Sequence, residues 1–324
     1  MHPIPHLLRV HQFHALEPGP RLIVLGSVHG NETCGTHAMA RLLPQLDDGS
    51  LALVRGMLTL VPITNALAHQ NGLRVGDRNL NRNLYPTTSP RDHEDRLGNV
   101  LCPLLAAHGV LLDLHSFHTG GEPFAMIGPP DNTGPLEPFA RAREEQALAL
   151  RLGVNRIVEG WLDTYARGVA RRVADSPALA QDGSRSTDPR YGVGTTEYMR
   201  TQGGCAITLE CGQHDDLASR DVAYRAILQT LAHLKMIDAP DPAPVAAPEF
   251  LRLTEVVDRA APGDTLARAW ASYDPLRVGD IIGHRANGTP LVAPADGYIV
   301  FPNPKARPGD EWYYLAQRST RSLG

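Results

Sequence analysis

The stretch that decides the fold class is residues 22–32, Leu-Ile-Val-Leu-Gly-Ser-Val-His-Gly-Asn-Glu. It opens with a short apolar run typical of a buried strand and ends in a polar loop. The residues that follow, 33–46, carry apolar side chains at helical spacing. A continuously apolar strand followed by a helix predicts an α/β fold in which helices cover both faces of the sheet.

The same alternation recurs along the chain. Further strands are predicted at 57–63, 110–114 and 205–209, and helices near 92–107, 138–173 and 216–236. We therefore predict a mostly parallel, mixed sheet with helices on both faces.

The pattern changes after residue 237. A length of 324 residues already suggests about two domains. Residues 238–248 contain four prolines and predict a semi-rigid linker. Beyond it, short extended runs are separated by Gly279-Asp280, Asn287-Gly288 and Asp296-Gly297, which are hairpin signals. The predicted organisation is a catalytic α/β domain at 1–237, a linker at 238–248 and a small all-β domain at 249–324.

Composition excludes several classes of protein. The formal net charge is −4 and the charged fraction 20%, so bulk charge indicates neither a nucleic-acid nor a membrane partner. No stretch approaches 18 consecutive apolar residues, and the first residues lack the pattern of a signal peptide. The four cysteines form no C-x-x-C pair. We therefore expect a cytoplasmic protein.

Strong ligands and acids follow three of the predicted strands. His29 and Glu32 lie in the loop after the first strand, His115 ends the strand at 110–114, and Glu210 ends the strand at 205–209. The carboxyl ends of parallel strands share one edge of a sheet. Two histidines and a carboxylate predict a site for one Zn²⁺ per chain, with a position open for water. Zinc would lower the pKa of that water towards about 7.

Glu210 would then act as the general base that takes the proton of this water and passes it to the leaving amine. Each residue also has a structural alternative. His115 could be a core histidine bonded to a backbone carbonyl, and Glu210 a buried structural carboxylate. His118, three residues after His115, is a rival ligand that lies further into a glycine-rich loop.

A polar loop at 74–83 carries three arginines between two predicted strands. One guanidinium could stabilise an oxyanion and another could bind a carboxylate, and Arg200 could be a further carboxylate anchor. The alternative is that these are solvated surface residues. That alternative is strong because only Lys235 and Lys305 among the 31 basic residues are lysines, so arginine is abundant throughout.

The motifs together resemble the succinylglutamate desuccinylase/aspartoacylase family, which has a zinc carboxypeptidase-like (zinc-exopeptidase-like) fold. The resemblance covers about residues 22–215 and also fits the β domain. It rests on four motifs in the family's order and spacing: His29-Gly30-Asn31-Glu32-Thr33, Asn79-Leu80-Asn81-Arg82, Asp113-Leu114-His115-Ser116 and Glu210-Cys211-Gly212.

The resemblance implies zinc-dependent hydrolysis of the amide bond of a small anionic N-acyl amino acid. It implies that Arg74 polarises the scissile carbonyl. It also implies a set of substrate-binding residues: Asn81, Arg82, Arg200 and, from the β domain, Tyr313. The family's Asp-Leu-Asn-Arg begins with Asn79 here, which removes a charge beside the predicted clamp, and its Glu-Val-Gly has Cys211 at the second position.

Two other functions remain open at this point. One is a zinc carboxypeptidase that trims peptides on the same fold, which an open groove would favour. The other is a non-catalytic binding protein on the same fold. The β domain also faintly resembles lipoyl and biotinyl carrier modules, but Lys305 stands in an unsuitable Asn-Pro-Lys context. We expect the β domain to act as a lid or as a dimer contact instead.

Overall fold

The computed structural model describes residues 7–175 and 187–322. Its strands are β1 (His11–His14), β2 (Arg21–Leu25), β3 (Met57–Val61), β4 (Val110–Phe117), β5 (Phe124–Met126), β6 (Arg156–Glu159), β7 (Cys205–Gln213), β8 (Glu249–Asp258), β9 (Thr265–Leu266), β10 (Pro275–Leu276), β11 (Ile281–His284), β12 (Pro290–Val292), β13 (Gly297–Val300) and β14 (Glu311–Arg318). Its α-helices are α1 (Cys34–Asp47), α2 (Ala66–Asn71), α3 (His93–Ala106), α4 (Ala142–Ala149), α5 (Trp161–Asp175), α6 (Thr195–Thr201) and α7 (Ala218–His233).

One large mixed sheet organises the molecule. Among the described residues its order is β1-β3-β2-β4-β7-β5-β6-β8-β14-β13-β10, and a smaller antiparallel sheet has the order β12-β11-β9. The strands β3, β2, β4 and β7 pair in parallel, so their carboxyl ends lie along one edge. The predicted fold class, a mixed sheet with an all-β region after it, is confirmed.

Helices cover both faces of this sheet because the central strands are apolar on both sides. In β2, Leu22 and Val24 pack with α1 and α7, while Ile23 and Leu25 pack with α3 and α6. All eight residues of β4 are buried. Such a strand is stable only between two helical layers.

The helix predicted at 138–173 is wrong as a single element. The structure divides it into α4, the strand β6 and α5. β6 places the apolar pair Ile157 and Val158 between charged ends, and it pairs with β5 and β8. Two apolar residues are too few to interrupt a helical pattern in the sequence, so only the tertiary pairing identifies this strand.

The C-terminal region continues the large sheet. No helix or strand occurs between α7 and β8, where the linker is predicted, but β8 pairs in parallel with β6 on the other side of that boundary. Of the three hairpin signals, Asn287-Gly288 joins two paired strands, β11 and β12. The division into two domains therefore remains a proposal.

No helix in the described part of the chain is both long and apolar enough to cross a membrane.

Candidate metal centre

The loop after β2 turns tightly enough to bring His29 and Glu32 to the same point. Ser27 adopts a φ of 46°, which is rare for a residue with a side chain. Its hydroxyl donates to the carbonyl of Glu32 at 3.2 Å. A Cβ at Gly30 would lie 2.0 Å from the carbonyl carbon of Ala68 in α2, so only glycine fits between the loop and this helix.

His29, Glu32 and His115 form a buried group that could hold a metal ion. One ligand atom from each residue lies within 4.8 Å of the other two. Nδ1 of His29 is 2.9 Å from Oε1 of Glu32, and Nδ1 of His115 is 2.8 Å from Oε2 of the same carboxylate. The three residues, predicted from two separate strand ends, are therefore brought together.

The opposite nitrogen of each histidine faces a side-chain oxygen. Nε2 of His29 lies 3.0 Å from Oδ1 of Asn79, and Nε2 of His115 lies 3.0 Å from Oδ2 of Asp113. With the hydrogen assigned to Nε2 in both rings, both Nδ1 lone pairs are free to bind a metal. Nδ1 of His29 is buried and makes no hydrogen bond. These residues thus fit a divalent ion.

The charges in this group are strongly coupled. Burial acts to raise the pKa of Glu32, but the nearby His29 and Arg74 outweigh it and hold that pKa well below the usual value. Burial, assisted by Arg74, lowers the pKa of His29 to about 4. Burial disfavours the charged form of His115 too, yet Asp113 and Glu32 raise its pKa. Glu32 is therefore ionised and His29 neutral near pH 7, whereas His115 has to give up a proton before it can bind a metal.

Glu210 lies beside this group, because β4 and β7 pair with His115 opposite Glu210. The carboxylate is buried, and its Oε2 has no hydrogen-bond partner in the described protein. Burial raises the pKa of Glu210 to about 8, with His115 opposing the shift. A buried carboxyl group with a free oxygen at the cavity wall can donate a proton when protonated and accept one when ionised, and a cation bound nearby would favour the ionised form.

Arg74 is the most accessible of the predicted arginines. Its side chain is 48% exposed, and Nη1 lies 2.5 Å from Oε1 of Glu32. Asn81 lines the same cavity, and its Oδ1 accepts a hydrogen bond from the backbone N–H of Thr195 at 2.8 Å. Both residues therefore line the cavity that holds the candidate metal group, and their roles remain predictions.

Arg82 and Arg200 line the cavity too, but both are buried in ion pairs. Arg82 donates through Nη2 to both carboxylate oxygens of Glu311, each at 2.8 Å. Arg200 pairs with Glu145 at 2.9 Å and with Glu137 at 2.8 Å. The predicted carboxylate anchors therefore already hold carboxylates of the protein itself.

Tyr313 is not in the cavity, and its neighbour Tyr314 takes the expected place. Tyr313 packs with Val257 and Trp270 on the opposite face of β14. A register shift between Glu311 and Tyr313 interrupts the simple alternation of the strand. As a result Tyr314 shares the cavity with Glu311, and its ring lies 5.3 Å from that of Trp161.

His118, the rival ligand, is exposed and does not belong to the metal-binding group. Three other residues, which the sequence analysis did not predict to be site residues, contribute to the site. Asn79 and Asp113 orient the histidines, and Glu311 neutralises Arg82. Asp113 and Asn79 stand inside the quoted motifs and so could have been found. Glu311 is separated from Arg82 by 229 positions, and no local pattern marks it.

A cavity of about 170 Å³ connects these residues. The histidines His29 and His115, Arg74 and Glu210 line it. The C-terminal region contributes Phe301, Asn303, Glu311 and Tyr314 to the same lining.

Comparison with known proteins gives a consistent assignment. Residues 18–234, about two thirds of the chain, match the family model "Succinylglutamate desuccinylase/Aspartoacylase catalytic domain". No curated protein matches the sequence significantly.

Solved structures with the same fold include a succinylglutamate desuccinylase/aspartoacylase from Rhodobacter sphaeroides, with a TM-score of 0.71 and 18% identity over 96% of this chain and 90% of that one. Succinylglutamate desuccinylase from Vibrio cholerae has a TM-score of 0.69 and 16% identity over 95% and 85%. The product-bound ectoine utilization protein EutE (DoeB) from Ruegeria pomeroyi has a TM-score of 0.68 and 17% identity over 95% and 88%. At these low sequence identities, the similarity shows a shared fold.

Proposed function

The chain belongs to the succinylglutamate desuccinylase/aspartoacylase family, whose members are named as deacylases, and on that premise we propose that it hydrolyses the amide bond of a small N-acyl amino acid. The observation that carries the proposal is the buried group of His29, Glu32 and His115, with the free carboxylate of Glu210 beside it. A metal-binding group next to an unpaired base is what hydrolysis of an amide requires.

We assign one Zn²⁺ to His29, Glu32 and His115. Two histidines and one carboxylate are a typical ligand set for catalytic zinc. Such an ion supplies Lewis-acid chemistry, since it polarises a carbonyl and lowers the pKa of water. The protein supports this set through Asn79 and Asp113, which fix the orientation of the two rings.

Glu210 is the proton carrier in this proposal. Its Oε2 accepts a proton from the attacking water and then donates it to the nitrogen of the departing amino acid. The positive charge of the proposed zinc would favour the ionised form of Glu210 that accepts the proton, and burial favours the protonated form that then passes it on.

Arg74 and Asn81 position the substrate. The guanidinium of Arg74 lies beside Glu32 and can donate to the scissile carbonyl, where negative charge develops. Asn81 uses its Oδ1 to bind Thr195, which leaves its Nδ2 as a donor towards the substrate. Tyr314 replaces Tyr313 as the tyrosine that the C-terminal region contributes.

The cavity favours a small substrate over a peptide. Phe301, Glu311 and Tyr314, all from the C-terminal region, form part of the wall of the cavity. We propose that this wall leaves no groove for a polypeptide, which makes a carboxypeptidase activity the second candidate. All four cysteines are free thiols, which agrees with a reducing compartment, and we place the protein in the cytoplasm.

The test is turnover of Glu210→Gln on a panel of N-acetyl, N-succinyl and N-formyl amino acids, using zinc-loaded protein. We expect kcat to fall by about 10²–10⁴-fold, because the substitution removes the general base but keeps its shape. Metal analysis by mass spectrometry should still find one zinc per chain.

Glu144→Gln is the matched control, since Glu144 is an exposed acid on α4. Full activity of Glu210→Gln with zinc bound would contradict the mechanism. Release of C-terminal residues from a peptide mixture would favour the carboxypeptidase. Native protein that contains no metal and hydrolyses no substrate would favour a binding protein.

A further inference from the structure

Arg82 already holds a carboxylate of the protein itself. Nη2 is bidentate to Glu311, and Nη1 donates to the backbone carbonyl of Asn81 at 2.8 Å. The guanidinium also stacks over the ring of Trp161, with its carbon 4.8 Å from the ring centroid. A buried guanidinium with a bidentate carboxylate partner has its charge neutralised.

Arg200 is equally occupied. Nε and Nη1 pair with Glu145 and Glu137, and Nη2 donates to the backbone carbonyl of Ala206 at 2.6 Å. A third carboxylate, that of Glu197, lies 3.5 Å from Nη1. Three carboxyl groups therefore surround one guanidinium, which leaves little positive charge to attract a further anion.

Apolar side chains form much of the remaining wall. Met126 and Ile127 lie on the side of β5, and Phe117, Trp161 and Phe301 lie nearby. Arg74 differs from the other arginines because only Nη1 has a carboxylate partner among the described residues. Its other N–H groups and the amide of Asn81 remain for the scissile carbonyl and for one carboxylate.

We propose that the substrate is an N-acyl amino acid with an apolar side chain and a single carboxylate, rather than a dicarboxylate such as succinylglutamate. This inference rests on the proposed amide hydrolysis at the same site. A second carboxylate would have to displace Glu311 or stay unpaired in a buried cavity, which is unfavourable. An apolar side chain gains by leaving water for the aromatic wall. Glu311 is thus a specificity-determining residue that excludes dicarboxylates.

The first experiment compares kcat/KM of the zinc-loaded protein for N-acetyl-leucine and N-acetyl-aspartate. The leucine and aspartate side chains branch at the same carbon, but leucine ends in two methyl groups and aspartate in a carboxylate. We expect a preference of at least tenfold for the leucine substrate. Equal values or a preference for the aspartate substrate would overturn the inference while supporting the amide hydrolysis.

Binding separates this inference from the proposed function. If neither substrate is hydrolysed, calorimetric titration with free leucine and free aspartate still measures the preference of the cavity. Tighter binding of leucine supports the inference although the proposed function fails, and binding of aspartate alone or binding of neither overturns it.

The second experiment uses Glu311→Gln, which keeps the shape of the side chain but releases the charge of Arg82. We expect the leucine-to-aspartate ratio of kcat/KM to fall by tenfold or more, mainly through a lower KM for N-acetyl-aspartate. An unchanged ratio would overturn the role of Glu311.

Asp296→Asn is the matched control, because it removes the carboxylate partner of the exposed Arg277 and should leave the ratio unchanged. If Glu311→Gln fails to fold, Glu311→Asp, which withdraws the carboxylate by one methylene, provides the same measurement.

Discussion

The two metal-binding histidines are held by oxygens of different charge. His115 faces the carboxylate of Asp113, which also accepts a hydrogen bond from the hydroxyl of Thr195. His29 faces the neutral amide of Asn79, whose Oδ1 also accepts from the backbone N–H of Asn81 at 2.9 Å. A carboxylate makes the imidazole a stronger donor to a metal than an amide does. We therefore expect His29 to be the weaker of the two ligands in the proposed zinc site.

This difference predicts a loss of metal affinity in Asn79→Ala. Without the amide oxygen, the ring of His29 is no longer oriented with Nδ1 towards Glu32. We expect zinc affinity to fall by about 10–100-fold, as is typical for residues that orient a metal ligand. Competition with a chromogenic chelator measures this directly.

Two further variants are compared with Asn79→Ala in the same zinc-affinity assay. Asn79→Asp, which restores the family's carboxylate, should bind zinc at least as tightly as the unmodified protein. Asn155→Ala, at an exposed position, should change nothing. If Asn79→Ala retained full zinc affinity, the amide would have no part in orienting His29.

At the scale of elements, the strands of the C-terminal region depend on one buried acid. Asp264, before β9, accepts a hydrogen bond from Arg285 at 2.8 Å and from the backbone N–H of Ala260 and Ala286 at 2.8 and 2.9 Å. Burial acts to raise the pKa of Asp264, but these donors lower it from 3.8 to about 2. Asp264 thus joins the loop after β8 to the turn after β11.

A carboxyl group with a lowered pKa stabilises the folded state above its unfolded pKa, and this contribution disappears as the pH falls through the folded pKa. We expect Asp264→Asn to lower the free energy of unfolding by about 2 kcal/mol at pH 7. The difference should shrink below about pH 4 and vanish near pH 2, as chemical denaturation at several pH values would reveal. A difference that does not vary with pH would show that the charge is unimportant.

The elements also show what a sequence can and cannot predict here. β2, β4 and β7 are predictable because each is a continuous apolar run, and their ligands follow from the position of strand ends. β6 is not predictable from the sequence, because it has only two apolar residues and forms a strand by pairing with β5 and β8. The place of Tyr314 in the cavity is not predictable either, because the register shift in β14 reverses the face on which each tyrosine lies.

At the scale of the whole molecule, the sheet crosses the predicted domain boundary. Besides the β6–β8 pairing, Arg156 pairs with Glu249 at 2.6 Å and Arg172 with Asp258 at 2.7 Å. Thr164 donates to the carbonyl of Leu253 at 2.8 Å. The two regions are thus joined by backbone pairing, by ion pairs and by the cavity that they share.

This continuity predicts the behaviour of a chain cut in the linker. A protease site inserted between Pro242 and Ala243 should be cleaved readily, since no helix or strand includes this segment. The two fragments should then co-elute in size-exclusion chromatography under native conditions and separate only in denaturant. Separation under native conditions would indicate that the C-terminal region is an independent domain.

The distance in sequence between Arg82 and Glu311 has a consequence for the newly made chain. A ribosome completes the residues of the metal-binding group and all three arginines well before it reaches β14. Until β14 pairs with β8, Arg82 has no carboxylate partner and the cavity lacks part of its wall. A nascent chain of this protein therefore carries the residues of the candidate metal group before it carries Glu311 and Tyr314, which complete the cavity only when β14 has been translated.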